Sequence, residues 1–272
     1  MPEIIHRPVN RVKENCNWLL QWRGNVTSQI GQDGILQRIF SIIGEGTKFC
    51  VEFGAWDDKF LSNTWNLIVN RNWSGVLIEG DPQKFEALET THPAGRVKTL
   101  NRVVGWEGSD ALDKILDESD APQNPDLVSI DVDGNDWHIW KSLVDHRPRV
   151  VLIEFNPTIP NDVFFVQDPD PHINHGNSLL AMIELGRHKG YSLICANLWD
   201  AFFVVDELYE EFKIPDNSID SMHHFPQAET KLFQGYDGTF FTAGNRRLFW
   251  RDREFSWDAL QILPPSERRY GD

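Results

Sequence analysis

The chain has 272 residues, of which 40% are hydrophobic, and this is enough for one large α/β domain or for one domain with an appendage. Its formal net charge of −15 argues against a large nucleic-acid interface and against binding to anionic membranes. The three cysteines lack metal-site spacing, and no apolar run approaches the ~18 residues of a membrane span. The first ten residues also lack the apolar core of a signal peptide, so we expect a cytoplasmic protein with buried thiols.

Residues 1–47 are expected to form a helical segment before the main domain. Apolar residues recur at helical spacing over residues 35–40. Gln29, Gln32 and Asp33 precede this apolar face. They are either capping and turn residues or polar groups facing a ligand, and their spacing favours capping.

A strand followed by a glycine turn organises the centre of the chain. Residues 49–53 are an apolar run with one acid, Glu52, and Gly54 follows directly. A second apolar run over residues 75–78 ends in Glu79, where an acid can hold the hydroxyls of a ribose. The pattern therefore favours a nucleotide-binding unit over the alternatives, an ordinary strand-to-helix turn and a solvated acid.

Strands and helices then alternate along the chain. Further strands are predicted over residues 96–104, 126–134, 149–156, 191–196 and 201–205, and helices over residues 61–70, 82–91, 110–118, 137–144 and 178–189. This alternation predicts a doubly wound, mainly parallel sheet, and the last two strands form an antiparallel hairpin. We assign residues 48–206 to this domain and residues 207–272 to a cap, a lid or an oligomerisation extension.

Acidic residues follow the fourth and fifth predicted strands. Asp131 and Glu154 end these strands and Asn156 lies just beyond the second of them, so the three side chains are expected at one edge of the sheet. Carboxylate and amide oxygens suit a hard cation such as Mg²⁺. The alternative is that these residues cap turns, and this alternative is favoured for Asp136 as a helix N-cap.

Histidine is the commonest general base near neutral pH. His138 lies one turn into the helix after the acidic loop, and His175 lies in a loop before the helix at residue 178. His188 lies near a helix C-terminus, where a cation is favoured anyway, so we interpret it as structural. We therefore rank His138 first and His175 second as the base.

An ordered set of motifs resembles the FkbM-type S-adenosylmethionine-dependent methyltransferases. The motifs are Ser28-Gln-x-Gly-Gln-Asp-Gly, Val51-Glu-Phe-Gly-Ala-Trp-Asp, Ser62-Asn-Thr, Gly75-Val-Leu-Ile-Glu-Gly-Asp-Pro82, Ile130-Asp-Val-Asp-Gly-Asn-Asp136 and Ile153-Glu-Phe-Asn-Pro157. The resemblance covers roughly residues 28–206, and the set is more specific than any one motif. It implies the class I methyltransferase fold, which is a Rossmann-like sheet of seven strands with the last one antiparallel.

The resemblance also implies a cofactor and a reaction. S-Adenosylmethionine would be bound by residues that include Glu79 on the ribose, and the reaction would be O-methylation of a sugar or natural-product hydroxyl. The candidate cofactor-binding residues are Gln29, Glu52, Gly54, Ala55, Asn63, Glu79 and Asp131. Asp131, Glu154 and Asn156 match the positions that hold Mg²⁺ in related sugar methyltransferases, and Asp131 also belongs to the catalytic candidates with the two histidines. Asp58 departs from the family, which usually has glycine at its position.

Two other classes remain open at this stage. A nicotinamide-dependent dehydrogenase would usually have three glycines in the first turn, where only Gly54 is present. A catalytically silent binding or assembly module would keep the fold without the reaction, and Asp58 is compatible with it. The expected partner is a small hydroxylated acceptor, with no nucleic acid or membrane, and a homo-oligomer remains an open alternative to a monomer.

Overall fold

A computed structural model describes residues 2–92 and 95–269, so residue 1 and residues 270–272 of the predicted terminal segments lie outside it. The strands are β1 (Phe49–Phe53), β2 (Ser74–Ile78), β3 (Val97–Leu100), β4 (Leu127–Ile130), β5 (Val150–Glu154), β6 (Tyr191–Ala196), β7 (Asp200–Val205), β8 (Thr230–Gln234), β9 (Phe240–Gly244), β10 (Arg247–Leu248) and β11 (Arg253–Glu254). The helices are α1 (Gln32–Ile43), α2 (Trp65–Arg71), α3 (Pro82–Thr91), α4 (Leu112–Glu118), α5 (Asp136–Ser142), α6 (Leu179–Lys189) and α7 (Ile219–Met222). Short 3₁₀ helices occupy Trp18–Trp22, Gly108–Asp110, Asp206–Phe212 and Trp257–Leu260.

Seven strands form one sheet in the order β3-β2-β1-β4-β5-β7-β6. The pairs from β3 to β5 are parallel, and β7 is antiparallel to both β5 and β6. This arrangement confirms the predicted fold class. The chain moves outward from β1 to β3 and then returns to start β4 on the other side of β1, so the direction of winding reverses between β1 and β4. Ligands bind at such a reversal, beyond the carboxyl ends of the strands.

The centre of the sheet is apolar because helices or the extension cover it. Every residue of β4 and β7 is buried, and β5 is buried up to Glu154. Continuous apolar runs are typical of parallel strands covered on both faces. Each buried Val, Leu, Ile or Phe side chain contributes roughly 1.5–3 kcal/mol to stability, so the core fixes the positions of the strand ends.

Helix α2 begins later than the sequence predicted. The spacing of apolar residues predicts a helix from Leu61, but α2 starts at Trp65. Leu61 has a left-handed backbone (φ +61°), which an α-helix excludes. The Ser62 hydroxyl accepts hydrogen bonds from the backbone N–H of Thr64 and Trp65, so it ends the loop and starts the helix.

The C-terminal extension contains two small hairpins in addition to α7 and the last 3₁₀ helix. Strand β8 pairs with β9, and β10 pairs with β11, both antiparallel. These hairpins are separate from the seven-stranded sheet. They lie near the carboxyl edge of the main sheet, where they help to enclose a cavity described below.

All three cysteines are buried and free, as expected for Cys50 and Cys195. No helix in residues 2–92 and 95–269 combines the length and hydrophobicity that crossing a membrane requires.

Gly75 of β2 is packed tightly against Cys50 of β1. A Cβ atom at this position would lie 2.5 Å from the backbone carbonyl oxygen of Cys50, which cannot move without disturbing the sheet. We expect Gly75→Ala to lower the free energy of unfolding by ~1–3 kcal/mol through overpacking. Chemical denaturation measures this change. Gly24→Ala is the matched control, because its Cβ would meet no atom within 4 Å. Equal stability of the two variants would contradict the tight contact.

Candidate functional site

The neighbouring strands β1 and β4 are followed by loops that contact each other where the direction of winding of the sheet reverses. Gly54 follows β1 with a left-handed backbone (φ +69°), and an added Cβ would lie 3.1 Å from the carbonyl oxygen of Asp131. Glycine suits this position for two reasons. It tolerates positive φ, and its lack of a side chain lets the two loops stay in contact. The first loop continues through Ala55, whose N–H donates to the carbonyl of Ile78 at 3.2 Å. The turn after β1 is therefore held against both neighbouring strands, β2 and β4.

Glu52 is buried beneath this loop and is fully hydrogen-bonded. It accepts from the hydroxyls of Ser62 and Thr64 and from the backbone N–H of Asn63, each at 2.7 Å. The residue is 6% exposed. Its carboxylate thus organises the segment that leads into α2 rather than projecting into open solvent.

Asp58 joins Glu52 in the same buried network. It has a left-handed backbone (φ +55°), the conformation that glycine would adopt more easily at this position. Its Oδ1 accepts from the Ser62 hydroxyl at 2.9 Å, and its Oδ2 pairs with the imidazole of His92. These contacts hold the aspartate in this conformation. Burial, and then the charge of Asp58, raises the pKa of Glu52 to about 7.

The raised pKa predicts a pH-dependent contribution to stability. An acid whose pKa is higher in the folded chain favours folding most below its unfolded value of 4.5, and the contribution is lost as pH rises through about 7. Glu52→Gln mimics the protonated acid, and the hydroxyls of Ser62 and Thr64 can reverse to accept from it. We expect this variant to be more stable than wild type by on the order of 1–3 kcal/mol at about pH 8, and equally stable near pH 4.5. Denaturation at both pH values measures the difference, and a constant difference would refute it.

Glu79 lies directly after β2, as the sequence predicted for a ribose acceptor, but backbone groups already use both of its oxygens. Oε2 accepts from the N–H of Trp56 and Oε1 from the N–H of Asp81, both at 2.8 Å. Each carboxylate oxygen has a second lone pair, so the residue can still accept a ligand hydroxyl. The ribose role stays a prediction, and the structure adds that Glu79 links the loop after β1 to the start of α3.

Two further cofactor candidates have different surroundings. Gln29 is exposed, and its backbone carbonyl accepts from Asn25. Asn63 is buried and donates to the Ser129 hydroxyl at 3.1 Å, while its Oδ1 is buried without a hydrogen-bond partner. A buried acceptor without a donor is costly, so Asn63 Oδ1 marks a place where a donor is missing.

The candidates Gln32 and Asp33 have structural partners. The Gln32 amide donates to Asp200 at 2.7 Å. The Oδ2 of Asp33 accepts from the backbone N–H of residues 26, 27 and 28 at 2.8–2.9 Å. Asp33 is therefore a turn residue and not the helix cap, because its side chain satisfies N–H groups of the preceding turn, whereas the N-cap of α1 is Gly31.

Three acids converge beyond the ends of β4 and β5. One carboxylate oxygen from each of Asp131, Asp133 and Glu154 lies within 4.8 Å of the others. The fourth strand ends at Ile130, before the residues that the sequence assigned to it, so the two aspartates lie in the loop and turn toward Glu154. Sequence spacing indicated Asp131 and Glu154, and the structure adds Asp133.

The electrostatics of these acids are unfavourable without a compensating cation. Loss of surrounding water, and then the charges of Asp136, Asp200 and Asp133, holds the pKa of Asp131 well above its usual range. Solvent still reaches Asp131, which is exposed in the loop after β4. Burial, and then the charge of Asp131, raises the pKa of Glu154 in the same way. The carboxylates therefore share protons, or a cation, more readily than they ionise together.

Asp136 belongs to the turn rather than to the acidic cluster. Its two oxygens accept from the backbone N–H of Val132 and Gly134 at 2.8 and 2.9 Å. Asn156, the third predicted metal ligand, uses its amide oxygen to accept from the N–H and hydroxyl of Thr158 at 2.9 and 2.7 Å. Its role as a metal ligand stays a prediction.

A cavity of about 1000 Å³ opens beside the acidic cluster. The sheet edge contributes Asp133, Glu154 and Asn156, and the loop before α6 contributes His175. Opposite them lie residues of the C-terminal extension, from Asn245 to Phe255. The cavity is thus large enough for a small ligand and has an acidic and an extension wall.

The two candidate bases differ in position. His175 is exposed and lines the cavity, and its backbone is held by Gln167 Oε1 at 2.9 Å and by Asn156. The lining of this cavity does not include His138. The Nε2 of His138 lies 2.8 Å from the carbonyl oxygen of Gln167, and its ring packs against Trp106 and Trp137. A carbonyl only accepts, so this Nε2 carries a proton and only Nδ1 is left as a base.

No known family profile matches the chain, and no curated protein sequence matches it. Solved structures similar to it include magnesium protoporphyrin IX methyltransferase from Synechocystis PCC 6803 (9% identity, covering 64% of this chain and 81% of that one, TM-score 0.41). Another is an amino pentose methyltransferase from Micromonospora echinaspora involved in calicheamicin biosynthesis, bound to S-adenosylmethionine (8% identity, covering 64% of this chain and 89% of that one, TM-score 0.42). Likeness at this level does not assign an activity, so the resemblance to the FkbM type rests on the sequence motifs.

Proposed function

We propose that this chain is an S-adenosylmethionine-dependent O-methyltransferase that acts on a hydroxyl of a sugar or small natural product. The observation that supports the proposal best is the placement of three features at one edge of the sheet. Three features lie at or beside the point where the winding of the sheet reverses. They are the glycine turn after β1, Glu79 after β2 and the acids at the ends of β4 and β5. A ligand spanning this edge would meet the turn and the acids together.

The residues at the reversal fit the cofactor. The turn at Gly54 and Ala55 and the acid Glu79 would hold its nucleoside, and the unpaired Oδ1 of Asn63 offers an acceptor nearby. S-Adenosylmethionine would supply a sulfonium methyl group and leave as S-adenosylhomocysteine, while the acceptor oxygen gains the methyl carbon and loses its proton. The protein's task is then to hold the hydroxyl in line and to remove that proton.

The acidic cluster fits a divalent cation. Asp131, Asp133 and Glu154 offer hard oxygen ligands at suitable mutual distances. A cation there would offset the repulsion among the carboxylates, lower the pKa of an acceptor hydroxyl and fix its position. We extend the predicted ligand set, Asp131, Glu154 and Asn156, to include Asp133.

His175 is the residue best placed to take the proton. It lines the same cavity as Glu154 and Asn156, whereas His138 uses one ring nitrogen on a backbone carbonyl. A proton moving from the acceptor hydroxyl to the imidazole of His175 would leave through the open side of the cavity. We therefore place His175 before His138 in the proposed mechanism.

A catalytically silent binding module is the second candidate, and one observation favours it. Glu79 already binds two backbone amides, and the loop before α2 holds Trp56, Asp58 and Leu61 in left-handed conformations. Such a loop is strained, and strain at a cofactor loop either serves binding or blocks it. A dehydrogenase is less well supported, because only Gly54 stands where three glycines are usual.

Calorimetric titration with S-adenosylmethionine and with NAD tests the proposal. Saturable binding of S-adenosylmethionine alone supports the methyltransferase, and binding of NAD alone supports the dehydrogenase. Binding of neither cofactor supports the silent module.

Glu79→Ala should weaken binding of S-adenosylmethionine by ~1–3 kcal/mol, because the ribose hydroxyls lose a charged acceptor. Calorimetry gives the dissociation constant, and circular dichroism checks that the variant is folded. Glu89→Ala, at an exposed position on α3, is the matched control. An unchanged dissociation constant in folded Glu79→Ala would remove this residue from the cofactor site.

A further inference from the structure

The tip of the second C-terminal hairpin forms one wall of the cavity beside the acidic cluster. Strands β10 and β11 are joined by residues 249–252, and Phe249, Trp250 and Arg251 of this tip line the cavity. The turn is fixed by hydrogen bonds from the N–H of Arg251 to the carbonyl of Leu248 and from the N–H of Arg253 to the carbonyl of Arg251. The tip is therefore a defined structure that faces the proposed acceptor position.

The tip presents an aromatic surface to the cavity. Phe249 packs edge-on against Phe225, with ring centroids 5.5 Å apart, which anchors the tip to the rest of the extension. Trp250 packs against Phe249 and is 57% exposed, which is unusual for so large an apolar side chain. An exposed aromatic ring in a cavity wall is suited to stacking on a flat or ring-shaped ligand.

The tip also carries a cation that has no counter-ion. The guanidinium of Arg247 pairs with Asp252. Arg251, in contrast, takes part in no ion pair with any residue of 2–92 and 95–269. In a chain with a net charge of −15, a cavity-lining arginine without an acidic partner is available to bind an anionic ligand group.

The opposite wall carries three acids and has no arginine or lysine among its lining residues, so the cavity is polarised. Asp133, Asp136 and Glu154 lie on the sheet side, and the two arginines lie on the hairpin side. An anionic group would be repelled by the first wall and attracted by the second, which orients the ligand. Its hydroxyl would then point toward the acidic cluster and His175.

We propose that the methyl acceptor is a hydroxylated ring that carries an anionic group, with its ring on Trp250 and its anionic group on Arg251. This proposal rests on the proposed function for the reaction, but it concerns ligand binding and can be tested without turnover. Two kinds of compound share this chemistry, a sugar acid and an aryl carboxylate. The experiment distinguishes them by including both.

Calorimetry on the full chain would compare matched probes that differ only in charge. The pairs are glucuronate with glucose, and 4-hydroxybenzoate with 4-hydroxybenzamide. We expect the anionic member of one pair to bind at least about tenfold more tightly than its neutral partner. The pair that shows this difference identifies the kind of ring. Equal affinity within both pairs, or no binding of any probe, would overturn the proposal.

Variants assign the preference to the hairpin tip. Arg251→Gln should remove the difference between the charged and neutral probes, Arg251→Lys should restore part of it, and Trp250→Ala should weaken both members of the pair. Arg269→Gln and Trp22→Ala, outside the cavity lining, are the controls. A charge preference that persists in Arg251→Gln would refute the assignment. S-Adenosylmethionine binding is measured on the same samples, so failure of the proposed function shows there, while failure of this inference shows only in the probes.

Discussion

Replacement of His175 by alanine should lower turnover by ~10²–10⁴-fold while leaving the affinity for S-adenosylmethionine nearly intact, as expected for loss of a general base. His175 lines the cavity that also holds Glu154 and Asn156, and the loop around it is fixed by Gln167 and Asn156. A change confined to the ring therefore removes a proton acceptor without disturbing the fold. Release of S-adenosylhomocysteine measures turnover, and calorimetry measures cofactor affinity.

His138→Ala and His188→Ala are the controls for this experiment. His138 fixes its Nε2 on the carbonyl of Gln167, and His188 is exposed near the end of α6. We expect His188→Ala to keep wild-type turnover, and His138→Ala to lose less than His175→Ala. Full turnover in His175→Ala, with a loss of ~10²-fold or more in His138→Ala, would return the role of base to the residue that the sequence favoured.

The main sheet could be predicted from sequence because its local signals agree with its tertiary structure. The predicted first strand and the helix after Glu79 match β1 and α3 residue for residue. Helix α3 starts at Pro82, and the side chain of Asp81 caps it by accepting from Gln83 and Lys84. A helix with a capping side chain at its start and apolar residues along one face can be predicted from its own sequence, without knowledge of its long-range contacts.

The start of α2 at Trp65 could not be predicted, because it depends on Glu52, thirteen positions earlier. Apolar spacing from Leu61 suggests a helix, but Glu52 binds Ser62, Asn63 and Thr64 and keeps them out of it. Asp58 shows the same limit. Its left-handed backbone and its bond to the imidazole of His92 become apparent only in the three-dimensional structure.

The candidate site was partly predictable for a related reason. The carboxyl ends of adjacent parallel strands meet in space, so Asp131 and Glu154 could be placed together from strand order alone. The addition of Asp133 depends on the fourth strand ending early, and the hairpin wall depends on packing of a segment without strand–helix rhythm. The orientation of His138 depends on a single hydrogen bond to a distant loop.

The acidic cluster leads to the second large expected effect. If Asp131, Asp133 and Glu154 hold a divalent cation that the reaction needs, a chelator should abolish turnover and Mg²⁺ should restore it. Metal removal should leave the fold intact, because β4, which precedes the two aspartates, and β5, which ends in Glu154, are secured by buried apolar side chains. Far-ultraviolet circular dichroism in the presence of chelator checks this point.

Glu154→Gln tests the cluster directly, with binding as well as activity as the readout. The variant keeps the size of the side chain but removes one charged ligand, so Mg²⁺ should bind at least about tenfold more weakly by calorimetry, and Mn²⁺ should show the same loss by electron paramagnetic resonance. Glu211→Gln, at an exposed position far along the chain from β5, is the matched control and should bind both ions like wild type.

Full turnover in chelator together with unchanged ion binding in Glu154→Gln would rule out the metal, and these acids would then serve as direct contacts to the substrate. Loss of ion binding with full turnover in chelator would show a cation site that catalysis does not use. The paired readouts therefore separate the existence of the site from its role, because the carboxylates repel one another whether or not the reaction depends on the ion that would relieve them.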